Sequence, residues 1–443
     1  MATQGRNPPG VYLLSATEMW ERFSYYALAG LLALFLSAPI ADGGFGWRPE
    51  QAVQLFGLVS GLAFATPAIG GWLVSRWIGE QTAILAGGIA IAFGQIALAF
   101  VAARGPGADG SIPLFWTALA AIVGGTALLK PAVSAAVGLL YAPRDARRGS
   151  GYAIFMTGVW AGSFLSNLIA GSIGEWFGWH WGFLTAGAGM AFGTLLFVGF
   201  RGRWLVELRP PAATNAEPAQ AKPPLTRDQR TALGGLALIS LFTVAYATLF
   251  YQKGGFLNLL VKGDVDRMIG AFTVPATWFL SISTGVFILA TPVFAALWNH
   301  RIARGGTAPD VCISLVIGLA LLAGGYAMFA AGYAFSDGAA VPMLWFVAGY
   351  IFFGLADIFI WPPQIALAST LAPPHLASFV IGLWYVSIGV GSYASGLVGA
   401  SLVGSPPLYA LVGLGATIGI FSLAALAARP ALLSRINQGS DRP

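Results

Sequence analysis

RGRWLVELRPPAATNAEPAQAKPPLTRDQR, Arg201 to Arg230, is the one long polar stretch in a chain of 443 residues that is 57% hydrophobic and 9% charged. Pro210, Pro211, Pro218, Pro223 and Pro224 lie among several alanines, a composition that reads as a flexible linker. A membrane-spanning helix needs about 20 apolar residues. The stretch is therefore too short and too rich in proline to hold an inserted helix pair. Six apolar segments precede it, at 11–38, 52–75, 82–103, 112–140, 150–173 and 180–200. Six follow, at 231–261, 274–298, 311–335, 341–371, 377–401 and 407–428.

Soluble domains carry roughly 25% charged residues, so a soluble core could not absorb this apolar excess, whereas a bilayer can. The 59 glycines suit helices that approach closely in lipid. The expected fold class is an all-α membrane protein with 12 transmembrane helices. They fall into an N-terminal half (1–200), a cytoplasmic linker (201–230), a C-terminal half (231–430) and a cytoplasmic tail (431–443). Two six-helix halves are the layout of the major facilitator fold, which places substrate at the midplane between the halves.

The basic residues orient the chain. With the N-terminus inside, cytoplasmic segments hold 16 of the 23 Lys and Arg residues, among them Arg76, Arg144, Arg147, Arg148, Arg209, Lys222, Arg301 and Arg442. External loops hold 4: Arg48, Arg104, Lys262 and Arg267. This places both termini in the cytoplasm and the protein, multi-pass, in the cell inner membrane. The net charge of +6 is dispersed over short loops and does not indicate nucleic acid. Cys312 is the single cysteine and implies no disulfide framework. The first apolar run is long, charged and without a cleavage pattern, and so reads as a retained span.

Six ionisable residues fall within spans: Glu18, Glu21, Arg22, Lys130, Lys253 and Asp357. A charge at the bilayer centre costs about 2.5–3.5 kcal/mol on insertion scales, so each should face a cavity or a partner. Glu18, Glu21 and Arg22 share one helix face at i, i+3 and i+4, and Tyr25 follows on it. A low-dielectric site favours a neutral carboxyl and a nearby guanidinium favours the ionised one. A site with both can exchange protons when the arginine changes partner, which is what proton coupling needs. The competing reading is a static ion-pair knot bracing the helices. Lys130, beside Pro131, and Asp357 have opposite signs and lie in different halves, so they could pair across a central cavity or form a permanent bridge. Lys253, near the external end of its span, reads as a lysine that snorkels to the interface.

His180, His300 and His375 lie at span ends or in loops, so neither a metal nor a cofactor is indicated. No phosphate-cradling loop ends in Gly-Lys-Ser/Thr, and no in-span histidine partners a serine, so the chain does not read as an enzyme.

EMWERFSYY (18–26) resembles the ExxERFxYY signature of the proton-dependent oligopeptide transporter family of the major facilitator superfamily. LLKPAVSAAVGLLYAPRDARRGSGYAIF (128–155) is similar to the family's KPxxSxxVGxxY and DxRRDxGF pattern. GGWLVSRWIGEQ (70–81) resembles the facilitator loop between spans 2 and 3. LNLLVKGDVDRMIGAFTVPATWFLSI (257–282) and LAPPHLASFVIGLWYV (371–386) extend the resemblance over most of the chain. It implies proton-driven symport of di- and tripeptide-like zwitterions by alternating access, the proton being the coupling ion. Glu18 and Glu21 would be the proton-linked carboxylates. Arg22 would hold them and, with Lys130, meet the substrate carboxylate. Tyr25 and Tyr26 would line the pocket and Trp384 would wall it. Asp357 stands where the family has a Glu that receives the peptide amino group.

Several positions depart from the family pattern. A second family Arg is Ala29, and the span 7 Glu thought to pair with it is Tyr251, with Lys253 a nearby candidate for a replacement gate contact alongside Lys130 and Asp357. A span 8 Asn is Ser283; the span 5 Tyr and Asn are Met156 and Trp160; a span 2 Tyr is Phe64. In the loop after span 2, Ser75, Glu80 and Gln81 replace an Asp and basic residues. Trp160 and Trp361 add bulk, so the cargo is less defined than the driving force. Two rival readings stand: a transporter or exporter of a bulkier non-peptide compound, and a transport-dead, receptor-like member of the family. The expected partners are a small-molecule or peptide substrate and membrane lipid, with no obligate protein partner.

Overall fold

The computed structural model describes residues 6–142, 145–205, 226–307, 309–372 and 376–440. Most of the linker expected over 201–230, with Arg209 and Lys222, lies outside the described residues, as do Arg144, His375 and Arg442. The first unit contributes helices α1 (Pro9–Ser37), α2 (Pro49–Ile78), α3 (Glu80–Arg104), α4 (Ser111–Leu139), α5 (Arg148–Phe177) and α6 (Trp179–Trp204), apart from the start of α2. Beyond the linker run α7 (Arg227–Phe250), α8 (Trp278–Ala303), α9 (Val311–Ala334), α10 (Met343–Leu371), α11 (Ala377–Leu402) and α12 (Pro407–Ser440). Among the described residues these are the twelve long helices of a major facilitator fold, with no inserted pair. Eleven of the described helices are long and apolar enough to cross a membrane; α1, which carries Glu18, Glu21 and Arg22, is the remaining long helix.

Local chemistry sets the ends. Pro8 and Pro9 open α1, and Ala38, forced to an extended conformation ahead of Pro39, closes it. Between α2 and α3 the chain turns at Gly79 with φ +78°, a conformation glycine adopts without strain. Asp310 caps α9, its carboxylate accepting the Ile313 N–H at 2.9 Å, and Arg429 Nη2 donates to the same carboxylate at 2.7 Å. The eighth helix begins four residues later than expected. Two short strands, β2 (Met268–Ile269) and β3 (Phe272–Thr273), form an antiparallel hairpin ahead of it, and β1 (Val265–Asp266) pairs in parallel with β4 (Val341–Pro342).

The chain forms two compact units: Met1–Trp47 with Thr66–Ala219, and Arg48–Ala65 with Gln220–Pro443. The start of α2 thus packs within the second unit, a grouping that a boundary drawn at the linker does not show. Small residues explain it. A Cβ placed on Gly61 would lie 2.9 Å from the Gly389 carbonyl oxygen, so α2 and α11 touch through their backbones. Within the first unit, α3 and α4 meet in the same way at Gly87 and Gly125. Gly158 and Gly162 bring α5 against α1 at Ser15 and Met19. Cys312 is buried with a free thiol.

Candidate functional site

Two polar clusters lie inside the apolar helices, one in each unit. The first is built on α1. Glu18, Glu21 and Arg22 are all buried, with Glu21 fully so. The Arg22 Nε donates to Glu21 Oε2 and lies 3.4 Å from Glu18 Oε1. Thr126, on α4, donates its hydroxyl to Glu21 Oε1 at 3.4 Å. The guanidinium lies 5.2 Å from the Tyr25 ring centroid, and Tyr25 and Tyr26 meet edge to face at 5.1 Å. Lys130, half-buried on α4, is within electrostatic reach of Arg22, Glu21 and Glu18. The helix continues through Pro131. Two carboxylates and two cations therefore balance in charge. The balance in hydrogen bonds is incomplete. Among the described residues, Glu18 Oε2 and Arg22 Nη2 are buried without a hydrogen-bond partner.

The second cluster joins α7, α8 and α10. Asp357 is buried, and Tyr246 donates its hydroxyl to Asp357 Oδ1 at 2.5 Å. After Phe250 the chain tightens into a 3₁₀ turn, Tyr251–Gly254, before a short helix at Phe256–Asp264. That turn carries Lys253 inward. Its Nζ donates to Ser283 Oγ at 3.3 Å and sits 3.9 Å from the centroid of the Phe250 ring. Lys253 and Asp357 are within electrostatic reach of each other. Lysine snorkelling, expected from the position of Lys253 near a span end, is thus corrected: Lys253 is only 9% exposed.

Beside this cluster runs a wall of aromatic rings. Phe64 meets Tyr251 at 5.3 Å and Trp361 at 6.5 Å, and Trp361 meets Trp384 at 4.9 Å. Trp384 is fully buried and its indole donates to Gln364 Oε1 at 2.8 Å, which also accepts from Thr243 at 2.6 Å. Ala29 and Trp160 are half-buried, and Met156 is 40% exposed.

The structure thus brings Glu18, Glu21, Arg22, Tyr25, Tyr26 and Lys130 together, and separately Tyr251, Lys253, Ser283, Asp357 and Trp384. Lys130 has its charged neighbours on α1, where sequence spacing offers no hint of it. The Lys130 and Asp357 that the sequence offered as partners lie one in each unit. Three further polar residues were not legible in advance. Thr126 and Gln364 give no local signal. Tyr246 gives one, since Tyr246, Phe250 and Lys253 are spaced i, i+4 and i+7 in the sequence, the spacing of one face of a helix.

A family model described as the POT family matches residues 81–219 and 224–408. The chain is 31% identical to the peptide transporter YePEPT of Yersinia enterocolitica, over 87% of this chain and 86% of that protein. It is 24% identical to dipeptide and tripeptide permease A of Escherichia coli, over 92% of this chain and 87% of that protein. Among solved structures, a mutant peptide transporter POT in complex with alafosfalin superposes with a TM-score of 0.86 at 25% identity, covering 98% of this chain and 96% of that one. The helices, the span 1 signature in its buried setting and the extent of the family match agree, and the chain belongs to the POT family, the proton-dependent oligopeptide transporters of the major facilitator superfamily.

Proposed function

We propose that this protein is a proton-coupled symporter of small, zwitterionic, di- or tripeptide-like substrates that works by alternating access. It sits in the cell inner membrane with both termini cytoplasmic, its halves (1–200 and 231–430) joined by the 201–230 linker and followed by the 431–443 tail. One observation carries the reading: a charge-balanced cluster buried on α1 holds one carboxylate oxygen, Glu18 Oε2, and one guanidinium nitrogen, Arg22 Nη2, that lack partners among the described residues. A buried polar atom without a partner costs about 1–3 kcal/mol. A proton on Glu18 removes the buried charge from the first, and a substrate carboxylate accepts from the second. Binding and protonation are therefore favoured at the same three side chains, and a carboxylate that takes Arg22 away from Glu18 and Glu21 raises their demand for a proton.

In this reading Glu18, Glu21, Arg22 and Asp357 carry the coupling. Arg22 and Lys130 receive the substrate carboxylate, while Tyr25, Tyr26, Trp160 and Trp384 shape the pocket. Asp357, with Ser283, receives the amino group. Tyr251, Lys253, Lys130 and Asp357 serve as gate residues. YePEPT and the permease relatives are named for peptides, and a solved relative was bound to alafosfalin, which supports a peptide-like cargo. The proton is the only coupling species and no other cofactor is required.

The test is proton flux. Purified protein in liposomes, given an inward proton gradient, should acidify the lumen when di- or tripeptides are added. Absence of peptide-dependent acidification refutes the peptide reading. A bulkier cargo is the second reading, supported by the aromatic wall of Phe64, Trp361 and Trp384. Acidification driven by aromatic non-peptide compounds and by no peptide would establish it instead.

A further inference from the structure

Lys253 is a buried cation whose direct partners among the described residues are neutral: the Ser283 hydroxyl at 3.3 Å and the Phe250 ring at 3.9 Å. The serine is set as an acceptor for it, because its own hydroxyl proton is donated to the Leu280 carbonyl at 3.0 Å. Asp357 is the nearby charge, yet its Oδ1 is held by Tyr246. A Lys ammonium has three donors, and a buried charge without a contacting counter-charge is costly until an anion arrives. The second unit thus holds a cation that a simple amino-group subsite does not need.

We propose that Lys253 is a specificity-determining residue that receives an acidic side chain of the substrate, so that the preferred cargo is a peptide bearing a side-chain carboxylate. The inference rests on the peptide-symport reading above and deepens it. The substrate's terminal carboxylate already has Arg22 and Lys130, so a further cation in the second unit serves a further anion. Asp357, within electrostatic reach of Lys253, would take the ammonium of the same residue, which assigns the acidic side chain to the first residue of the peptide. Ser283 takes one of the three ammonium donors and, with the Phe250 ring, positions the ammonium, leaving two donors for the incoming carboxylate.

The experiment compares Glu-Ala with its amide isostere Gln-Ala as competitors of labelled Ala-Ala uptake in liposomes. Wild-type protein should favour Glu-Ala by about tenfold, the difference between a charged and a neutral hydrogen-bonded group. Lys253→Met should bring the ratio to about one, and Lys253→Arg should keep it above one, with thermal unfolding establishing that each variant is folded. A wild-type ratio near one, or an unchanged ratio in Lys253→Met, overturns the proposal. If no peptide is carried at all, the symport reading fails separately, and the subsite is then read by thermal stabilisation with glutarate against its monoamide. Stabilisation by glutarate that Lys253→Met abolishes supports the subsite. None in wild type, or an equal effect in both proteins, overturns it.

Discussion

Glu21→Gln keeps the size of a fully buried side chain and removes its charge. The glutamine oxygen can still accept from Arg22, and its amide nitrogen then faces the Thr126 hydroxyl, which can turn to accept, so what is lost is mainly the difference between a charged and a neutral hydrogen bond, about 1–2 kcal/mol. Arg22 retains Glu18 at 3.4 Å, so the guanidinium is not stranded and the cost stays below the roughly 3–5 kcal/mol of a buried ion that loses its partner. The variant should fold. Its transport should change in kind. With one proton per substrate, each unit of pH gradient supplies about 1.4 kcal/mol, which is about tenfold accumulation. Wild-type liposomes under a one-unit inward gradient should concentrate a labelled dipeptide about tenfold, and Glu21→Gln liposomes should only equilibrate it. Exchange of labelled for unlabelled peptide, which needs no net proton movement, should persist in the variant. Accumulation at the wild-type level would refute coupling at α1. A parallel loss of accumulation and exchange, in proportion to unfolded protein, would identify the cluster as a brace.

Trp384→Phe should cost about 1 kcal/mol, since Gln364 keeps the Thr243 hydroxyl, whereas Trp384→Ala should cost about 3–5 kcal/mol; thermal unfolding in detergent checks both. Gly125→Ala should destabilise by about 1–3 kcal/mol, because its Cβ would lie 2.7 Å from the Gly87 carbonyl, while Gly124→Ala, which meets open space, should stay within about 0.5 kcal/mol in the same assay. In the loop after α4, the hydrogen bond from the Arg147 side chain holds the Asp145 carboxyl below its ordinary value of 3.8. A depressed folded-state value stabilises fully above the unfolded value and is lost only as pH falls through the folded one. Hydrogen exchange over 141–151 should therefore be unaffected by this carboxyl between pH 5 and 8, and Asp145→Asn should raise it throughout that range.

The spans were legible because lipid imposes a length and a polarity on each helix, and the Arg201–Arg230 stretch marked where one set of six ends. The α1 cluster was legible for a related reason: i, i+3 and i+4 spacing places Glu18, Glu21 and Arg22 on one face whatever surrounds them. What the sequence could not show were the partners drawn from other helices. Thr126 lies 105 residues from Glu21 and Tyr246 lies 111 from Asp357, and no local pattern pairs them. Lys253 was misread because FYQKGG looks like the end of a span, and only the 3₁₀ turn reveals that the lysine is redirected inward. The two units also meet the same physical demand differently. The first places carboxylates in contact with a cation, so removing its charge redistributes partners that already exist. The second sets its carboxylate against a tyrosine and its lysine against a serine, keeping opposite charges near each other but supported by hydroxyls. An anion entering the first unit must compete with Glu18 and Glu21 for Arg22, and that competition is what can couple binding to a proton. An anion reaching Lys253 displaces no contacting carboxylate, so this end of the molecule can discriminate between cargoes without competing for Arg22.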